Sequence, residues 1–134
     1  MTYNMDKRSR STHSKRLVRT IVQKYGYGEF DRFVSRHRPH LIHYAEASII
    51  TIFNHELTDI MSNYQHMLNK SYLQKIFYLA QRSLIKTIAH KRRISAKKVT
   101  KRIKGNPERK IIVTQLDQNG IEKEYALLTI RDFY

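Results

Sequence analysis

The chain contains no cysteine in its 134 residues. Disulfide frameworks, thiolate metal sites and cysteine nucleophiles are excluded, and a reducing, cytoplasmic location is expected, in the nucleoid or nucleus if the protein is DNA-bound. Glycine is also scarce, at four residues. They form no phosphate-cradling G-x-x-x-x-G-K-[ST] loop, no G-x-G-x-x-G turn and no G-x-S-x-G nucleophile elbow. No apolar run approaches the roughly 18 to 20 residues of a spanning helix, and the start MTYNMDKRSRSTHSKR is basic and polar with no secretion-type apolar segment behind it. A soluble chain without membrane contact is the expectation.

Acidic residues are outnumbered, 11 Asp and Glu against 26 Lys and Arg, for a formal net charge of +15. A field of that size attracts polyanions and resists nonspecific self-association. The charge is also sorted along the chain. Residues 1–38 hold ten Lys and Arg against three acids, 39–81 two against three, 82–110 twelve against one, and 111–134 two against four. Two basic blocks thus flank a nearly neutral middle and precede a mildly acidic end.

Hydrophobic periodicity indicates a single, mainly α (α+β) domain over 12–134, with four to five helices and a C-terminal β-hairpin within 110–131. Residues 1–11, polar and without periodicity, read as a disordered basic arm. THSKRLVRTIVQKY sets Leu17, Val18, Ile21 and Val22 on one stripe of a short helix with a basic outer face, which Gly26 and Gly28 should end. EFDRFVSRHR then predicts a further helical turn or two, with Phe30, Phe33 and Val34 inward, up to Pro39. The segment 41–64 is apolar almost all round between 41 and 53 and predicts a buried central helix, and 71–89 predicts another. Beyond Gly105-Asn106-Pro107 the period becomes two, and Asn119-Gly120 suits a two-residue type I′ turn. That turn would set Ile112 opposite Leu127 and Thr114 opposite Tyr125, with Ile111, Val113, Ala126 and Leu128 on the other face.

The most basic stretch is IAHKRRISAKKVTKRIK, residues 88–104, in which eight Lys or Arg and His90 surround a thin apolar thread. One reading makes it a helix-turn-helix: Ala89 is the small residue where the helices cross, Ile94 fills the turn, Ser95 caps the second helix, and Val99 with Ala96 or Ile103 is buried. Lys97, Lys98, Lys101 and Arg102 then face outward as donors to phosphate or guanine, and Thr100 reaches a phosphate or base edge. On these residues the segment resembles the helix-turn-helix family, whose common IA....IS...VS..I arrangement it echoes. With the hairpin as a wing, residues 84–131 resemble a winged helix. The resemblance implies a DNA-binding regulator of transcription, although the family usually has Gly where Arg93 stands. Two other readings remain open: one continuous helix from about 71 to 104, roughly 50 Å long at 1.5 Å per residue, or a solvating basic loop.

The candidate nucleic-acid-binding residues are Lys91, Arg92, Arg93, Ser95, Lys97, Lys98, Thr100, Lys101, Arg102 and Lys104, joined by Arg16 and Arg19. Arg8, Arg10 and Lys15 could add a second contact or a minor-groove arm. Tyr25 and Tyr27 are either packing residues or stacking residues for single-stranded bases.

Catalytic patterns are weak. His37, His40 and His43 recur every third residue, and NHELTD places His55 and Asp59 at i and i+4, but Asp59 stands where H-E-x-x-H requires histidine. Glu56 and Asp59 can share a helix face without an indicated third carboxylate, which leaves a metal-dependent nuclease as the minority reading. No metal, cofactor or catalytic residue is assigned, and enzymatic activity is not expected. The sequence reading therefore favours a non-enzymatic DNA-binding regulator. RNA binding is one alternative, and a small inhibitor or assembly factor docking on a protein or nucleoprotein through the hairpin is another. Abundant Lys, Arg, Tyr and Ile with few Gly and Pro suit a viral or mobile-element protein.

Overall fold

A computed structural model describes the backbone from Lys7 and the side chains from Thr12, both to Tyr134. Helix α1 (Lys7–Tyr25) leads into a minimal hairpin of β1 (Gly28–Glu29) and β2 (Val34–Ser35), then a 3-10 turn (Pro39–Leu41). Helices α2 (Glu46–Tyr64), α3 (Lys70–Arg92) and α4 (Ala96–Ile103) follow, then the hairpin β3 (Ile112–Leu116) and β4 (Glu122–Ala126), and a closing 3-10 turn (Ile130–Phe133). The mainly α class with a C-terminal hairpin is the expected one. Residues 1–6 of the expected arm lie outside the described residues, as do the side chains of Arg8 and Arg10, and α1 begins earlier than its apolar stripe suggested.

The centre of the fold is α3, against which α1, α2, β2, α4 and the closing 3-10 turn all pack. The sequence pointed to α2 as the central helix because α2 is the more apolar. Burial of Ser83 and Thr87 explains the difference, since both are solvent-excluded yet hydrogen-bonded, and they disguise a helix that is buried on most sides. Val18, Ile21 and Val22 of α1, Phe53 and Leu57 of α2, and Leu73, Ile76 and Leu84 of α3 meet in one core with Val99 and Ile103 of α4.

Two local expectations are corrected. Residues 28–35 form a tight hairpin and not a helical turn, with Gly28 paired to Ser35 and Glu29 to Val34 around a turn at 30–33, and Phe33 and Val34 face solvent. A Cβ on Gly28, at φ +145°, would stand 2.0 Å from the Val34 carbonyl oxygen, so glycine here permits a strand approach that helical periodicity cannot reveal. The C-terminal hairpin is displaced by one residue from the expected register, pairing Ile112 with Ala126 and Val113 with Tyr125. Asp117 is the cause. Its Oδ1 accepts from the amides of Asn119 (2.8 Å) and Ile121 (2.9 Å), while its carbonyl accepts from Gly120 at φ +75°. This closes a three-residue loop in place of a two-residue one. The shift brings Leu127 onto the core side with Ile111 and Val113 and turns Ala126 outward.

The hairpin does not project freely. Asn54 of α2 donates to the Ala126 carbonyl (3.0 Å) and accepts from the Leu128 amide (2.8 Å), and Gln115 accepts from the Ala47 amide (3.3 Å).

Candidate nucleic-acid interface

The basic stretch 88–104 is two helices and a tight turn, so neither one continuous helix nor an unstructured loop. Helix α3 stops because Arg93 adopts the left-handed conformation, at φ +57° and ψ +43°. In that geometry the Ile94 amide reaches back to the Ala89 carbonyl (3.1 Å) and closes the helix end. Glycine is the usual residue in a left-handed helix end; here arginine bears the strain of the same geometry. The Ser95 hydroxyl then accepts from the Lys98 amide (3.2 Å) and starts α4. With Val99 and Ile103 buried against α3, the other side of this eight-residue helix must face water.

Lys97, Lys98, Lys101 and Arg102 occupy that outer side, exposed, and none has an ionic partner among the described residues. Arg93 is exposed at the turn beside them. Lys104 is half-buried at the end of α4, and its pKa is lowered, first by burial and then by the nearby charges of Arg109 and Arg82. Three cations therefore share that end, and a bound anion there would relieve their repulsion. Thr100 is half-buried and its hydroxyl donates to the Ala96 carbonyl (2.8 Å), still leaving an acceptor lone pair.

Other candidates face inward. Arg92 is bidentate to Glu46, at 2.8 and 2.6 Å, tying the end of α3 to the start of α2. Lys91 donates to the Ile42 carbonyl (3.1 Å). On α1, Arg19 is bidentate to Asp31 across an exposed gap, at 2.7 and 2.9 Å, whereas Arg16 is exposed without an ionic partner among the described residues. Tyr27 is fully buried and stacks between Tyr25 and Phe53, which makes it a packing residue.

Sequence reasoning missed two features. The first is a buried ion pair: Arg38 grips Glu56 through two contacts of 2.7 Å, lies over the Phe53 and Tyr27 rings, and shares Glu56 with the Tyr27 hydroxyl (3.0 Å). Burial, followed by the Glu56 charge, holds the Tyr27 phenol above its ordinary pKa. The second is a polar row along α3. Ser83 donates to the Arg36 carbonyl (2.7 Å), Lys86 to the Ser35 carbonyl (2.7 Å), Thr87 accepts from the Arg38 amide (3.0 Å), and His90 stacks on His37 at 3.6 Å. This row pins residues 35–42 and aligns the base of the α3–α4 unit. Its signal was present as Ser83, Thr87 and His90, four and then three residues apart.

His55 and Asp59 lie on the exposed side of α2, and among the described residues no three His, Asp or Glu side chains are grouped to hold a metal ion. No helix of the described residues is long and apolar enough to cross a membrane.

None of the curated proteins matches the chain significantly. The family profile of the type II intron maturases does match, over residues 14–130. This overturns the resemblance to helix-turn-helix and winged-helix regulators: two helices joined by a tight turn are a packing solution open to many folds, and nothing here supports DNA reading or transcription control. A nucleic-acid-binding, mobile-element character agrees with the match, which runs from α1 through the basic pair α3–α4 to the closing 3-10 turn, and the chain belongs to the type II intron maturase family.

Proposed function

We propose that the chain binds folded intron RNA through the outer face of α4 and promotes splicing as an RNA-binding factor, without performing covalent chemistry itself. The observation that carries this reading is the row of exposed, unpaired cations Lys97, Lys98, Lys101 and Arg102 on a helix whose opposite face is anchored in the core. Cations held on a rigid element track phosphates without first losing backbone freedom, and each phosphate neutralised releases counterions. Arg93 and Lys104 extend the row at its two ends, and Arg16 offers a further contact from α1. The family match makes intron RNA the natural polyanion.

Fluorescence anisotropy with a structured intron RNA and a duplex DNA of equal length, at low and moderate salt, tests this. Wild type should prefer the RNA, and a Lys97→Ala/Lys98→Ala/Lys101→Ala variant should bind it roughly ten- to a hundredfold more weakly, with a salt slope smaller by about two to three. Equal affinity for duplex DNA, or a variant indistinguishable from wild type, overturns the proposal.

One observation favours a second reading. Leu116 and Ile121 are 65% and 59% exposed at the hairpin loop, an apolar tip suited to a protein or ribonucleoprotein partner. On that reading the alanine variant keeps its partner and its function.

A further inference from the structure

Two large aromatic side chains that are not adjacent in sequence are stacked in the open. Phe33, from the loop between β1 and β2, lies parallel to Tyr78 of α3, with ring centroids 5.1 Å apart and an interplanar angle of 11°. They are 43% and 47% exposed. Apolar rings normally turn away from water, and Phe33 instead holds a left-handed backbone, at φ +53°, that only a minority of non-glycine residues adopt. Its amide donates to the Phe30 carbonyl (3.0 Å) and fixes that turn. Strain and exposure coincide at one residue, a combination that packing alone does not require.

The pair forms a ridge between two concavities, both lined with cations. Phe33 borders one with Lys15 and Lys75, where Asp31 also faces in with its charge engaged by Arg19. Tyr78 borders the other, a mostly apolar cleft that ends at Arg109 and Lys110. Four residues beyond Tyr78, and so on the same side of α3, stands Arg82, whose charge is felt at Lys104. A strand crossing the ridge would thus meet π-faces with a cation on either side. Backbone-tracking cations alternating with aromatic faces are the means by which proteins hold unpaired nucleotides.

We infer that the Phe33–Tyr78 ridge is a stacking platform for an unpaired base of the bound RNA, beside the phosphate-binding face of α4. This rests on the proposed RNA-binding function and adds a preference to it: the protein recognises a loop or bulge next to a helical RNA segment. Stacking is tolerant of base identity, so the platform selects unpaired structure and not sequence.

The test uses the full chain with a single-stranded RNA of about 12 nucleotides carrying one 2-aminopurine, and with the same RNA fully paired. Tyr78→Ala and Phe33→Gly are the variants, the second chosen because glycine accepts the native backbone without strain. Each should weaken single-strand binding about tenfold and abolish 2-aminopurine quenching, while duplex binding and the salt slope stay as in wild type. Tyr78→Phe should restore both readouts. Wild-type single-strand affinity and quenching in Tyr78→Ala and Phe33→Gly, with duplex binding intact, overturns the platform alone. An equal loss on single-stranded and paired RNA also overturns it, by showing that the rings only support the fold. If wild type binds neither RNA, the RNA-binding function falls and the platform with it.

Discussion

Three cations of the C-terminal half of α3 and the cations of α4 are neighbours in sequence and opposites in environment. Lys86, Lys91 and Arg92 on α3 donate to backbone carbonyls or to Glu46, and so hold other segments in place. Lys97, Lys98, Lys101 and Arg102 on α4 are exposed and have no ionic partner among the described residues. The stretch 88–104 looks uniform as text, yet a turn at Arg93 divides it into a structural half and an available half. A count of positive charge measures attraction to polyanions, and only the inventory of partners tells which charges remain to exercise it.

Breaking the structural side of that contrast should have the largest effect. Glu56→Gln leaves Arg38 buried at 7% side-chain exposure without its counter-charge. A loss of about 3–5 kcal/mol of unfolding free energy is expected, measured by urea denaturation. RNA affinity of the fraction that remains folded should be unchanged, because Arg38 reaches no surface. A loss under about 1 kcal/mol would place this pair with exposed ones such as Arg19–Asp31.

Glu46→Gln probes the boundary between the two halves. The Arg92–Glu46 pair is only partly buried, at 28% and 18% side-chain exposure, so about 1–2 kcal/mol is expected from the same titration. If Arg92 is purely structural, RNA affinity should stay within about twofold of wild type. A clear gain would move Arg92 to the binding side of the comparison.

The smallest expected effect is on pH dependence. Burial first, then the charges of His90 and Lys86, hold the His37 pKa below its ordinary value. The unfolded chain then binds more protons than the folded one just below pH 6.5. Stability is therefore fully present above that pH, falls as pH drops through it, and levels off once the folded state is also protonated. The urea midpoint should be lower at pH 5.5 than at pH 7.5, and His37→Gln should reduce the difference. An unchanged difference would show that the stacked histidines do not couple protonation to the docking of residues 35–42.

Much of the site could be read without coordinates. Ser95 as cap, Ala89, Val99 and Ile103 as packing residues, and the outward set on α4 all follow from spacing, since a helix with two apolar positions four apart has little freedom in how it is laid down. The family, in contrast, could not be read from that local pattern, because the same pattern serves any fold in which a short helix crosses a longer one. The loop of Phe33 was also illegible. Its apolar residues at 30, 33 and 34 mimic helical periodicity, and what decides the matter is the close approach of Gly28 to Val34. The hairpin register depended on one carboxylate, Asp117, capping two amides that Asn119-Gly120 alone would have arranged differently.

The sequence by itself determined the mainly α class, the α4 stripe, the basic character and the absence of thiol chemistry, because composition and periodicity are local properties. Tertiary structure decided which cations are paired, which aromatic rings are exposed and which helix is central. Those are relations between residues distant in the chain, such as Arg38 with Glu56, Arg92 with Glu46 and Phe33 with Tyr78. A side chain's charge or ring is written in the sequence, but its availability depends on what the fold brings against it.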